Sequence, residues 1–363
     1  MVAMLRYGLG ELRYRWRISC VMALVISIPL MGFLLVNAYR ADLASRYSQL
    51  NRASLVVQET GSIGEITGSR LSAAVGQELL AAGASLAVPE IHAVVGITPQ
   101  DAVLLRGIQL ENYTRLEGFK ILSGRPLAPG DPPRAAMIGA RLAEERQVIP
   151  GEPIALRGRQ FSVVGVFSNG TYADNEAWVS LADAQALLGW GSDVSIFIIP
   201  DGEALHEGDT LPGGISVVRR GETGAVLNRE WTPLLNLLTL VITALGVAAA
   251  VALTNILWRL AWLRRRELAI LQSVGFGKLA QAGYLFIQGL GITTLGFALG
   301  VAEALAVGGL NRLNTSGVII RPLYDARVIA ISLVFAACLT LAGTTLPAWW
   351  LSRHNLVMMM RTE

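Results

Sequence analysis

The stretch "RLAWLRRRELAILQSVGFGKLA", residues 259–280, carries five basic residues and one acid, Glu267, and long apolar runs flank it on both sides. Lys and Arg concentrated in a short segment between apolar runs mark the cytoplasmic side of a membrane protein. Working outward, a spanning helix needs about 20 mostly apolar residues. Four segments qualify: 18–38, 232–258, 282–310 and 328–351. Composition agrees, because the 363 residues are 53% hydrophobic and only 16% charged, against about 25% charged in soluble domains.

Charge sets the orientation. Segments 1–17, 259–281 and 352–363 together hold 11 basic and 3 acidic residues. Residues 40–231 hold 16 basic and 22 acidic ones. The short segments are therefore expected in the cytoplasm, with residues 39–231 outside and 311–327 as an outer loop. The net charge of +3 is a topology signal; no basic stripe interleaved with aromatics points to nucleic acid. The expected fold class is an α-helical membrane protein with four transmembrane helices and an extracytoplasmic α/β (α+β) domain inserted between helices 1 and 2.

The N-terminal piece has Leu5, Leu9, Leu12 and Trp16 at helical spacing with its arginines off that stripe. It reads as a helix in the inner interface leading into the first span. Val36 and Ala38 would suit signal cleavage, but the run is longer than a signal core and is read as a retained span.

The inserted region is long enough for a domain of its own. Residues 40–75 are polar and read as a helical extension of the first span. "AAMIG" (135–139) reads as a strand and "ARLAEERQV" as a helix. "EPIALRGRQFSVVGVFSNG" reads as strand, turn at Arg157–Gly158, strand. "AWVSLADAQALLG" is a strand running into a helix capped by Ser180 or Asp183. "VSIFIIP" and "ISVVRR" are further β-branched runs.

A search for chemistry finds none. There is no G-x-S-x-G, and "GFGK" (275–278) lacks the first glycine and the Ser/Thr of a P-loop. Asp174, Glu176 and Asp183 read as a solvated rim. Cys20 and Cys338 lie in apolar runs and the three histidines are scattered, so neither a disulfide framework nor a metal site is indicated. Catalytic residues and metal ligands are expected to be absent.

Continuing the second span at 100° per residue puts Leu260, Leu263, Ile270, Leu271 and Val274 in one sector, with Glu267 at its centre. Arg265, Ala269 and Gln272 point elsewhere. A carboxylate in an apolar stripe is costly to bury without a basic partner or a helix N-terminus. Gly275 and Gly277 end helices readily. The segment reads either as a charge-tagged docking elbow or as a basic loop with Glu267 in water.

Within the spans, Gly296, Gly300, Ala304 and Gly308 recur every four residues, and Gly246 with Ala250 does likewise, spacings that permit close helix contact. Such faces serve packing within the chain or between copies. Glu303 is an acid inside a span, a functional hypothesis by default. It lies seven residues from Leu310, so it is expected near the outer interface.

The run "LTNILWRLAWLRRRELAILQSVGFGKLAQAGYLFIQGLGITTLGFALG" resembles the signature of FtsX-like permeases in the four-span MacB form. Arg266 and Glu267 match the family's basic–Glu pair, Val274 and Gly275 its turn. The ending "LPAWWLSRHNLVMMMRTE" is similar to the terminal pattern through Pro347, Met359, Arg361 and Glu363, without its second proline. "LEGFKILSGRPLAPGDPPRAAMIGARLAEE" and "GEPIALRGRQFSVVGVFSNGTYADNEAWVSLADAQALLG" resemble the MacB-type periplasmic core domain.

The resemblance implies a permease in a bacterial inner membrane, both termini cytoplasmic. It implies an ABC-type ATPase as a separate subunit, which would bind the ATP and Mg, since this chain has no Walker sequence. The ATPase-coupling residues would be Arg264, Arg266, Glu267, Ile270, Leu271, Val274 and Gly275. A homodimer or closely related heterodimer, and a periplasmic adaptor of the membrane-fusion type, are the further partners it implies. The function implied is mechanotransmission or export; the alternative is an FtsX-type regulator that activates a periplasmic cell-wall hydrolase.

Overall fold

The computed structural model describes residues 10, 14, 16–47, 54–62, 65, 68–96, 98, 101–116, 118–201, 205–220, 222–275, 277–310, 313–315 and 317–353. Leu5, Leu9 and Leu12 of the expected interfacial helix, and Met359, Arg361 and Glu363 of the tail pattern, lie outside the described residues. In chain order the elements are α1 (Trp16–Tyr47), β1 (Ser54–Glu59), α2 (Ala74–Ala81), β2 (Val88–Val95), β3 (Val103–Ile108), α3 (Tyr113–Leu116), β4 (Lys120–Gly124), β5 (Ala135–Gly139), α4 (Ala140–Arg146), β6 (Pro153–Leu156) and β7 (Arg159–Ser168). There follow β8 (Glu176–Ser180), α5 (Leu181–Leu188), β9 (Ile196–Pro200), β10 (Thr210–Leu211), β11 (Ile215–Arg219), α6 (Glu222–Leu263), α7 (Arg265–Ser273), α8 (Lys278–Leu310), β12 (Leu313–Thr315), β13 (Val318–Ile320) and α9 (Ala326–Arg353).

The chain forms two compact units. The helical unit comprises Met1–Ala41, Pro233–Asn311 and Pro322–Glu363; the sheet unit comprises Asp42–Thr232 and Arg312–Arg321. Among the described residues, four helices are long and apolar enough to cross a membrane: Trp16–Ser45, Trp231–Leu263, Leu279–Leu310 and Ala326–Leu351. The 33 residues of α8 extend about 50 Å, well beyond the ~30 Å of a hydrocarbon core. Met22, Ile26, Leu30, Ala250, Leu253, Leu257, Ile292 and Leu339 pack together inside this unit.

The sheet unit is built on an 11-stranded mixed sheet in the order β10-β11-β1-β9-β2-β3-β8-β5-β7-β4, with β6 paired to β7. β3 with β8 and β5 with β7 are parallel; the other pairs are antiparallel. Its core draws on Leu55, Ile91, Leu105, Ile138, Phe161, Val179, Phe197 and Val217, all buried. The β6–β7 hairpin turns at Arg157 (φ 48) and Gly158 (φ 75), a two-residue turn with both φ positive that suits the strand twist. Ser180 caps α5, its Oγ accepting from the Asp183 amide.

Two expectations are corrected. The helical reading of residues 40–75 holds through Tyr47 and fails at Ser54–Glu59, which is strand β1 between β9 and β11. "LVV" is an apolar run with two β-branched valines, buried on both faces, the signature of a central strand. Second, the outer loop is divided between the units. Its hairpin β12–β13 belongs to the sheet unit, where Ile319 joins the core. At the tip, Gly317 has φ +86 and a Cβ there would stand 2.8 Å from the Leu104 amide nitrogen, so only glycine fits.

Candidate functional site

The single helical stripe expected through residues 260–274 is broken. α6 ends at Leu263, Arg264 adopts φ −103 and ψ 15, and α7 starts afresh at Arg265. The break turns the sector into two faces. Leu268 and Ala269 are buried with Ala261, Tyr284, Leu285 and Leu351, and Leu271 packs partly against them. Gln281 Nε2 donates to the Leu268 carbonyl at 3.0 Å, fastening α7 to the start of α8. Gly275, at φ +101, closes the helix, and the Gly277 carbonyl accepts the first bonds of α8 from Ala280 and Gln281.

The other face of α7 is open. Glu267 is 54% exposed by side chain, Ile270 57% and Val274 72%, and Arg266 is exposed beside them. Glu267 Oε2 accepts from Arg264 Nη1 at 2.7 Å. The acid therefore pairs with Arg264, three residues back, and leaves Arg266 outward. Arg265 lies over the Trp262 ring at 4.6 Å. Such exposed apolar side chains around a held carboxylate make a surface fit for a protein partner. Of the expected coupling residues, Arg266, Glu267, Ile270, Val274 and Gly275 share this open side; Leu271 is drawn inward and Arg264 acts as the clasp.

The small-residue stripes are spent within the chain. A Cβ at Gly296 would stand 3.0 Å from the Ala23 carbonyl, and one at Gly300 3.0 Å from the Ser27 carbonyl. Ala304 is buried with Leu34, Ala38 and Val328, while Gly246 faces the Phe335 ring and Ala250 lies in the central cluster. The same seam gives Glu303 a partner: Ser27 Oγ donates to its Oε1 at 3.0 Å.

Sequence reading missed a buried charge cluster in the sheet unit. Arg106 on β3 donates from Nε and Nη2 to Glu90 on β2 at 2.9 and 3.0 Å. His92 Nε2 is 2.9 Å from the same carboxylate. Arg106 also lies 3.7 Å from Glu176 Oε2 and stacks over Trp178, whose Nε1 donates to Glu176. Arg220 Nε donates to Glu65 at 2.6 Å. The solvated rim expected at Asp174 and Glu176 is thus wrong: both are buried, and Asp174 accepts from the Asn169 amide at 2.9 Å. Asp183 serves the α5 cap instead. Among the described residues no group of three or more His, Cys, Asp or Glu is placed to hold a metal.

Among the described residues, four apolar helices, an elbow with one buried and one open face, and a mixed-sheet domain inserted after the first helix define a class of membrane protein with a large inserted domain. Residues 20–207 match the family model of the MacB-like periplasmic core domain, and residues 239–356 that of the FtsX-like permease C-terminal region. The chain belongs to this family of ABC transporter permeases, as a membrane protein with an extracytoplasmic domain. Two solved structures are similar to it. The periplasmic region of MacB from Actinobacillus actinomycetemcomitans is 15% identical with a TM-score of 0.35, covering 51% of this chain and 97% of that one. The extracellular domain of the ABC-type transporter YknZ from Gram-positive bacteria is 18% identical with a TM-score of 0.33, covering 41% and 84%. No curated protein matches the sequence.

Proposed function

We propose that this chain is the permease subunit of an ABC-type mechanotransmission or export system in a bacterial inner membrane, with both termini cytoplasmic. A separate ATPase subunit binds ATP and Mg and docks on the open face of α7. The chain works as a homodimer or a closely related heterodimer, with a periplasmic adaptor as a further partner. The observation that carries this reading is the two-sidedness of α7. Leu268 and Ala269 anchor it inside the helical unit, while Glu267, Ile270 and Val274 stand exposed.

An anchored helix with an exposed face transmits displacement. When nucleotide closes a bound ATPase pair, the push on Ile270 and Val274 passes through Leu268 and the Gln281 bond into α6 and α8. Glu267, clasped by Arg264, presents one oriented carboxylate to a basic group on the ATPase and fixes register more than affinity. Affinity purification of the full chain from membranes tests this. Glu267→Lys is expected to weaken ATPase capture by roughly 30-fold, about 2 kcal/mol, with membrane insertion unchanged. Undiminished capture by the variant would contradict the docking role.

A further inference from the structure

Strand β2 changes neighbours partway along. β9 pairs with it only over Val88–Glu90, while β3 follows it from Ile91 to Val95. At the point of divergence Ser195 Oγ stands in for a strand, donating to the His92 carbonyl at 3.0 Å and accepting from the His92 amide at 2.9 Å. One residue further back, Val194 pairs with Leu71 instead. Backbone groups of a strand alternate in direction, so Val94 faces the same side as His92. Among the described residues no strand pairs with Val94 on that side, and an open stretch of edge is a template for another chain.

This edge lines a groove of about 590 Å³ within the sheet unit, together with Gly96, Arg70, Arg157, Leu188 and Trp190. A second hollow of about 300 Å³ adjoins it at Gly96 and Arg157. Leu188 and Trp190 pack partly against the core, which makes them a fixed apolar wall. Among the described residues no acid lines the groove. Arg70 lies over the Trp190 ring at 5.3 Å and its Nε donates to Asp193 Oδ2 at 2.9 Å, so that cation is balanced. Arg157 Nη1 donates only to a carbonyl, that of Leu187 at 3.3 Å. Its backbone stands at φ 48, a left-handed conformation costly to arginine and easy for glycine or asparagine. An arginine kept in such a position points to a use for its guanidinium.

We propose that the groove receives an extended segment of a separate polypeptide. The segment adds to β2 as a strand at Val94, sets an acidic side chain on Arg157 and lays an apolar one against Leu188 and Trp190. Main-chain pairing supplies affinity and the flanking side chains select the sequence, with the guanidinium–carboxylate contact the strongest single term. The site requires neither an ATPase nor movement of the spans.

The full chain in detergent micelles provides the test, with a labelled, acetylated and amidated hexapeptide, Thr-Val-Glu-Val-Thr-Val, followed by fluorescence anisotropy and amide exchange. The peptide is expected to slow exchange across 93–96 and to leave the spans unchanged. Lys in place of its Glu, or Arg157→Asn in the protein, should weaken binding roughly 10-fold or more. Asn accepts the left-handed backbone, so exchange of β6 and β7 should stay as in the wild type. Methylating one alternate set of peptide amides should abolish binding, and methylating the other set should not. Tolerance of both methylated peptides would rule out strand pairing. Equal affinity in Arg157→Asn would assign the arginine to the end of α5 alone. No binding at millimolar peptide, or protection of 93–96 that appears without peptide as the chain is concentrated, would overturn the proposal, the latter by giving the edge to a second copy.

Discussion

Arg106 grips Glu90 through two parallel hydrogen bonds, Nε to Oε2 at 2.9 Å and Nη2 to Oε1 at 3.0 Å, with both side chains 1% exposed. The pair joins adjacent strands β2 and β3 in the middle of the extracytoplasmic sheet, with His92 on the same carboxylate. Removing one partner of such a pair costs about 3–5 kcal/mol. Glu90→Gln keeps the shape and loses the charge. It is expected to lower the domain's unfolding free energy by that order, read from amide exchange of β3 and β8 in the full chain.

Burial would raise the Glu90 carboxyl, but Arg106, then His92 and Arg220, outweigh it and hold the group well below the usual carboxylate range. A folded-state value below the unfolded one, about 4.3, contributes stability that is complete above that unfolded value. It is lost as pH falls below it toward the folded value. The wild-type domain should therefore lose stability on acidification from about pH 5 to 3, and Glu90→Gln should flatten that slope. Urea midpoints at the two pH values check this. An equally steep acid slope in the variant would contradict the assignment.

The close approach of α8 to α1 gives a sharper packing prediction. A Cβ at Gly300 would stand 3.0 Å from the Ser27 carbonyl and 3.1 Å from the Met31 amide nitrogen, both backbone atoms, whereas Gly309 has nothing within 4 Å. Gly300→Ala is expected to cost about 1–3 kcal/mol through overpacking, measured by denaturant unfolding in micelles. Gly309→Ala should be near neutral. Equal effects would mean the seam is looser than its geometry.

Orientation is open to chemical labelling. With Cys20 and Cys338, both free, replaced by Ala, a cysteine at the exposed Ser192 should react with an impermeant thiol reagent on intact cells. One at the exposed Ser273 should react only after the membrane is opened. The reverse pattern would overturn the placement drawn from Lys and Arg.

How much of this was legible in the sequence follows from range. The β6–β7 hairpin and the Ser180 cap depend on neighbours a few residues away, and the sequence reading located both. Strand β1 was misread because its partners, Phe197–Pro200 and Ile215–Arg219, lie some 140 residues or more downstream. Glu176 looked like a surface acid because nothing local reveals Arg106, which meets it across the parallel β3–β8 pair. The hairpin at 313–320 is too short to announce that Ile319 enters a core. At the elbow, the acid and its apolar companions were visible, but the break at Arg264 that sends Leu271 inward was not.

The central claim, that the open face of α7 receives an ATPase, is tested most directly by photo-cross-linking in living cells. A benzophenone amino acid at Ile270 or Val274 is expected to trap a nucleotide-binding ATPase, while the same probe at the buried Leu268 traps none. Products at Ile270 and Val274 that contain only lipid, or no second protein, would contradict the account.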